Sequence, residues 1–186
     1  MGKVDINTVS TPFHGKVGLV VFRNVRGRLQ VAAPPVPSRR PPTEAQLAHH
    51  QEFREGISYG KAALADPISR PVYERASERR QQNAFPLAVG DFFNPPVVQR
   101  VDLTGFTHQP GGKVVVFATD DVEVKSVTVI VRKSDGTILE QGPAQLVLDK
   151  WIYTTTTAVV PGTNLIFEVT AADWPGNEGK ANKLYP

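Results

Sequence analysis

Residues 114–131 read VVVFATDDVEVKSVTVIV. Two valine-rich runs flank a short acidic stretch, Asp120-Asp121-Val122-Glu123. Val114, Val116 and Ala118 fall on one side of the first run, and Val127, Val129 and Val131 on one side of the second. Strand side chains alternate between faces, so each run predicts a strand with one apolar face. The aspartates between them bend the chain by binding their own backbone. Two such faces need cover, and the simplest cover is each other: the stretch predicts strands from opposing sheets of a sandwich.

Working outward, short β-branched runs recur at 97–103, 114–118, 124–132, 138–141, 144–148, 151–157, 165–172 and 181–185. Turn-forming clusters separate them: QPGG at 109–112, SDG at 134–136 and PGTN at 161–164. Many short strands at this spacing are the mark of an all-β sandwich. Trp151 and Tyr153 are the expected large core side chains.

The runs 114–131, WIYTTTT at 151–157 and FEVTAADWPGNEGK at 167–180 resemble bacterial immunoglobulin-like and fibronectin-like domains. Those domains carry an Ala-x-Asp turn before a Val-x-x-Val strand and end on Ala-x-Asp-x-x-Gly-Asn. The matching positions are Ala118, Asp120, Val124 and Val127, then Ala171, Asp173, Gly176 and Asn177, with an irregularity at Ala172. The likeness covers about half of the chain and implies a fold, not an activity. The chain has no cysteine, so a sandwich here is held by its apolar core without an inter-sheet disulfide.

The first half reads differently. Residues 15–33, GKVGLVVFRNVRGRLQVAA, predict a β-hairpin with one apolar strand over 17–22, a turn over 24–27 and a return strand at 28–31. The segment 34–42, PPVPSRRPP, holds five prolines in nine positions and predicts a stiff extended spacer. Thr43-Glu44-Ala45-Gln46 matches a helix capping box, and Leu47, His50, Phe53, Ile57, Gly60 and Leu64 follow as one stripe. Gly56 and Gly60 predict close approach of a neighbouring element, and Asp66-Pro67 ends the helix. A second helix is expected from Ser69 to about Gln82, then a short apolar element over 84–93. The order of a basic hairpin, a proline-rich spacer and a Thr-x-x-Gln helix start resembles small bacterial or phage-related proteins, which implies no activity.

The whole is therefore expected to be α+β: an arm over 1–42 with a β-hairpin and spacer, two or three helices over 43–95, and an immunoglobulin-like sandwich over 96–186. Residues 1–95 carry 13 basic and 8 acidic side chains, whereas 96–186 carry 8 and 10. The N-terminus shows no charged segment leading into an apolar run, so no signal peptide is read. The apolar runs fall well short of the roughly 20 residues that span a bilayer. The compartment is not decided by the sequence: the cytoplasm and an assembled particle or filament are both open.

Catalytic motifs are not visible. The histidines His14, His49, His50 and His108 lack zinc spacing, and His50 reads as the boundary of a packed helix face. Gly15-Lys16 lacks the rest of a phosphate loop, and no serine elbow occurs. Asp120, Asp121, Glu123 and Asp173 could gather calcium at a pole of the sandwich, but turn chemistry accounts for them, so no metal or cofactor is expected. Arg23, Arg26, Arg28, Arg39 and Arg40 could follow a phosphate backbone, yet Phe22 is the lone aromatic nearby and nucleic acid is disfavoured.

An interaction protein without catalysis is the leading expectation. Val17, Leu19, Val20, Val21 and Phe22 are almost continuously apolar, and a lone hairpin cannot hide both faces. Val17, Leu19, Val21, Phe22, Arg23, Arg26 and Arg28 are thus the expected partner-binding residues of an arm that docks on a neighbouring subunit in a homo-oligomer or filament. The alternatives are an accessory module binding carbohydrate or protein through loops bearing Phe106 and Trp174, or a nucleic-acid binder using the basic arm.

Overall fold

The computed structural model describes residues 2–3, 15–25, 28–34, 36 and 41–186, with 2–3, 24–25 and 28 by backbone alone. His14, Arg26, Arg39, Arg40, the centre of the 24–27 turn and most of the proline-rich spacer lie outside the described residues. Two compact units are present, residues 1–46 and residues 47–186.

The first unit holds strands β1 (Gly2–Lys3), β2 (Gly15–Val17), β3 (Val20–Val25) and β4 (Arg28–Ala32). They form one antiparallel sheet in the order β1-β4-β3-β2. The expected hairpin is its central pair, with Phe22 opposite Val31 and Asn24 opposite Leu29. The expected single strand over 17–22 is broken. Gly18 takes φ +59°, a left-handed conformation that needs no Cβ, and the chain turns back so that Val17 faces Val20. The two-stranded ribbon is therefore the middle of a four-stranded sheet.

The second unit begins within helix α1 (Glu44–Ala65), followed by α2 (Arg70–Arg80) and α3 (Ala84–Phe93). The capping box forms as read: Gln46 N–H donates to Thr43 Oγ1 at 3.3 Å, and Thr43 N–H to Gln46 Oε1 at 2.9 Å. The buried residues of α1 are Gly56, Gly60 and Ala63; of the expected stripe Gly60 is buried and Ile57 and Leu64 are half-buried, while Leu47, His50 and Phe53 are exposed. The two glycines admit the close neighbour expected of them. A Cβ at Gly56 would lie 2.9 Å from the Phe93 ring, and one at Gly60 2.9 Å from Val89 Cγ2, so α3 lies directly on this bare backbone. Val72, Tyr73 and Ala76 of α2, Leu87 and Ala88 of α3, and Ala63 complete a helical core. Val122, from the acidic turn of the second half, joins the same core.

Strands β5 (Val97–Asp102), β6 (Lys113–Thr119), β9 (Gln145–Val147) and β10 (Lys150–Thr154) form one sheet in the order β5-β6-β10-β9. Strands β7 (Ser126–Lys133), β8 (Ile138–Pro143), β11 (Leu165–Ala172) and β12 (Glu178–Tyr185) form another, ordered β12-β11-β7-β8. All pairings are antiparallel. Val114 and Val116 of one sheet and Val127, Val129 and Val131 of the other are buried in one core, as the alternation predicts. Trp151 and Tyr153 belong to it, with Phe106 and Phe167 edge-to-face at 5.1 Å. This is a β-sandwich whose poles are built by the connections between strands. Among the described residues, no helix is long and apolar enough to cross a membrane.

Candidate functional site

Two connections and one helix place acidic side chains at one pole. Asp120 follows β6, Asp173 follows β11, and Asp91 sits in the last turn and a half of α3. One carboxylate oxygen from each lies within 4.8 Å of the others. Asp91 and Asp173 are each only 1% exposed.

Local chemistry orients each acid. Asp120 Oδ2 accepts from Val122 N–H at 2.9 Å and Glu123 N–H at 3.1 Å, the turn chemistry expected of it. Asp173 Oδ1 accepts from Gly176 N–H at 2.8 Å and Asn177 N–H at 2.6 Å, with Gly176 at φ +99° closing the turn. Asn177 Nδ2 donates to Asp173 Oδ2 at 2.8 Å and to the Asp91 and Phe92 carbonyls at 3.2 Å, tying the loop to the end of α3. Asp91 Oδ2 accepts from the Tyr73 hydroxyl at 2.6 Å, and Tyr59 completes the chain by donating to Tyr73 at 2.6 Å.

Two oxygens are left over. Asp91 Oδ1 and Asp120 Oδ1 are buried, and with both acids ionised neither has a donor; a proton on Asp91 bonds it to Asp120. None of the ion pairs among the described residues involves Asp91, Asp120 or Asp173. Burial pushes the Asp91 carboxyl up to about 8, opposed by the Tyr73 hydrogen bond and helped by the charges of Asp120 and Asp173 and by the hydrogen bond that protonated Asp91 makes to Asp120. Burial also raises the Asp173 carboxyl, against its hydrogen bonds from Asn177 and Gly176. Tyr59 is pushed up to about 12 and Tyr73 is raised as well, both chiefly by burial, so both phenols remain hydroxyl donors. Such a cluster can hold a proton or a hard cation between its free oxygens.

Asp120 is half-buried and also lines an open groove of about 460 Å³, together with Arg79, Asp121, Asp149 and Trp151. Arg79 Nη2 donates to the Val122 carbonyl at 3.0 Å across this groove. Of the acids singled out in the sequence, Asp120 and Asp173 meet here. Asp121 and Glu123 are exposed and turn elsewhere, Asp121 to Asn94 Nδ2 and Glu123 to Arg75. Asp91 carries no turn motif, and only the packing of α3 brings it to the pole.

The expected partner-binding residues lie on the first unit. Val17 is 49% and Leu19 86% exposed. Val21 and Phe22 are half-buried, and Arg23 is exposed. Arg26 and the Arg28 side chain lie outside the described residues. Among the described residues of this unit, Leu29 alone is buried.

No family model matches the chain, and no curated protein does. Among solved structures, one titled "Crystal structure of Br derivative BhCBM56" aligns at 19% identity over 46% of this chain and 87% of its own, with a TM-score of 0.34. A likeness at that level assigns this chain neither fold nor ligand.

Proposed function

We propose that this chain is a non-enzymatic interaction subunit that assembles with copies of itself, its N-terminal sheet docking on a neighbour. One observation carries the reading: a four-stranded sheet in which, among the described residues, Leu29 is the lone buried side chain. Sheets are stable when one face packs on a core, and this one shows Val17 and Leu19 outward instead. An apolar face without a core of its own gains stability when a second protein supplies one.

The second unit supports the same reading independently. Every residue of α1 from Glu44 to Glu55 is exposed, Leu47 and Phe53 included. The sandwich of this unit has strand orders, β5-β6-β10-β9 and β12-β11-β7-β8, that match the ABED and GFC arrangement of immunoglobulin-like domains with β8 added at one edge. We assign the sandwich to that class on this ground.

Sedimentation velocity on the full chain tests the proposal. Assembly should grow with concentration, and Leu19→Glu with Val17→Glu should abolish it while circular dichroism stays unchanged. A chain that stays monomeric up to about 1 mM, where even an interface worth about 4 kcal/mol would be half formed, sinks the reading.

A further inference from the structure

We propose that Asp91, Asp120 and Asp173 bind one hard divalent cation, which fastens helix α3 to the pole of the β-sandwich. The cluster of acids does not carry this alone. Asp91 is 1% exposed, yet with both acids ionised no donor reaches its Oδ1, nor the buried Oδ1 of half-buried Asp120. A buried acceptor without a donor forfeits the hydration it had in the unfolded chain, and an ionised one forfeits far more. These two oxygens are what remain after the backbone and Tyr73 have taken the others. Asp173 Oδ1 and Oδ2 are bonded already, but each carboxylate oxygen has a second lone pair to offer.

The dimensions suit a metal. Calcium–oxygen distances of roughly 2.3–2.6 Å let two ligands of one ion stand up to about 5 Å apart. One oxygen of each acid lies within 4.8 Å of the others. The ligands are all carboxylate, which selects calcium, magnesium or manganese over zinc or copper. No basic side chain takes the cation's place, since the ion pairs among the described residues leave these acids out. Asp120 lines the groove beside Arg79 and so offers a route from solvent to the buried pair. The ligands come from α3, the loop after β6 and the loop after β11, so an ion here joins elements that only tertiary packing brings together.

The inference is independent of self-assembly, because the site lies wholly within residues 47–186 and a monomer would bind as well. Its test uses the full chain, stripped with a chelator and titrated calorimetrically with Ca²⁺, Mg²⁺ or Mn²⁺ near pH 8. We expect one ion per chain for at least one of the three. Ligand at about a hundred times its dissociation constant should raise the thermal midpoint by roughly 5 °C or more. Asp91→Asn keeps an acceptor for Tyr73 and gives Asp120 a donor, so it should fold yet bind at least about tenfold more weakly. Asp120→Asn, which keeps the acceptor for Val122 and Glu123, provides the same comparison should Asp91→Asn not fold. Absence of heat and of a midpoint shift with all three ions overturns the proposal, and so does binding that both variants leave intact.

Discussion

Asp91 is the one acid in AFPLAVGDFF, a helix whose other members are apolar or glycine, and there burial governs its chemistry. With its carboxyl pushed up to about 8 in the fold, against 3.8 as its ordinary value, the folded chain holds a proton that the unfolded chain releases. Stability from this group is therefore full below about pH 4 and lost as pH rises through about 8. Its slope is at most about 1.4 kcal/mol per pH unit. Asp173, also raised, pulls the same way. Asp66, Asp102 and Asp135, held low chiefly by backbone hydrogen bonds, contribute their share only above the range where they ionise, so the interval from about pH 5 to 8 isolates the buried acids. Urea denaturation in chelator should show stability falling across that interval, and Asp91→Asn should flatten the fall. A wild-type profile that is level or rising there contradicts the burial argument. The same residue marks a limit of reading sequence. Asp120 and Asp173 could be singled out because each opens a turn with a recognisable spacing. Asp91 stands in a helical run with no local signal, and it becomes a site residue only because Gly56 and Gly60 let α3 lie against α1.

At the scale of elements, strands were legible wherever alternation met turn chemistry. Val114, Val116, Val127, Val129 and Val131 are buried as their period requires. The helical stripe was legible only in its second half: Gly56 and Gly60 mark the close approach of α3, and Ile57 and Leu64 are half-buried, but Leu47, His50 and Phe53 stay exposed because that close approach begins at Gly56. The β9–β10 turn shows another local conflict. Val147 pairs with Lys150, leaving Leu148 and Asp149 as a two-residue connection, and Leu148 takes φ +58°. Left-handed geometry at the first of two central residues is the glycine position of a tight hairpin. A leucine there costs about 1 kcal/mol through its Cβ, and at 95% exposure it gains nothing from packing within the chain. Leu148→Gly should therefore raise stability by several tenths to about 1 kcal/mol in chemical denaturation, the backbone entropy of glycine offsetting part of the gain. A destabilised variant would mean that the side chain is held by contacts beyond this hairpin.

For the whole molecule, composition foretold a chain with two characters. The division between the two compact units falls after Gln46, just beyond the proline-rich spacer over 34–42. Both large apolar cores, that of the sandwich and that of the helices, draw all their residues from Ala63 onward or, with partly buried neighbours, from Tyr59 onward. Among the described residues, the N-terminal sheet supplies none of them. The free energy of folding resides mainly in apolar burial set against chain entropy, so a segment that adds nothing to either core should be dispensable for folding. A chain of residues 43–186 keeps Thr43 and Gln46, whose capping box would otherwise be lost at a cost of about 1 kcal/mol. We expect this fragment to unfold in one cooperative transition, with a midpoint within about 4 °C of the full chain measured as a monomer, the shift that about 1 kcal/mol produces at this size. Were it to melt without cooperativity, or to bind a dye specific for exposed apolar surface, the N-terminal sheet would be completing a core of its own chain, and its apolar residues would have no need of a neighbour.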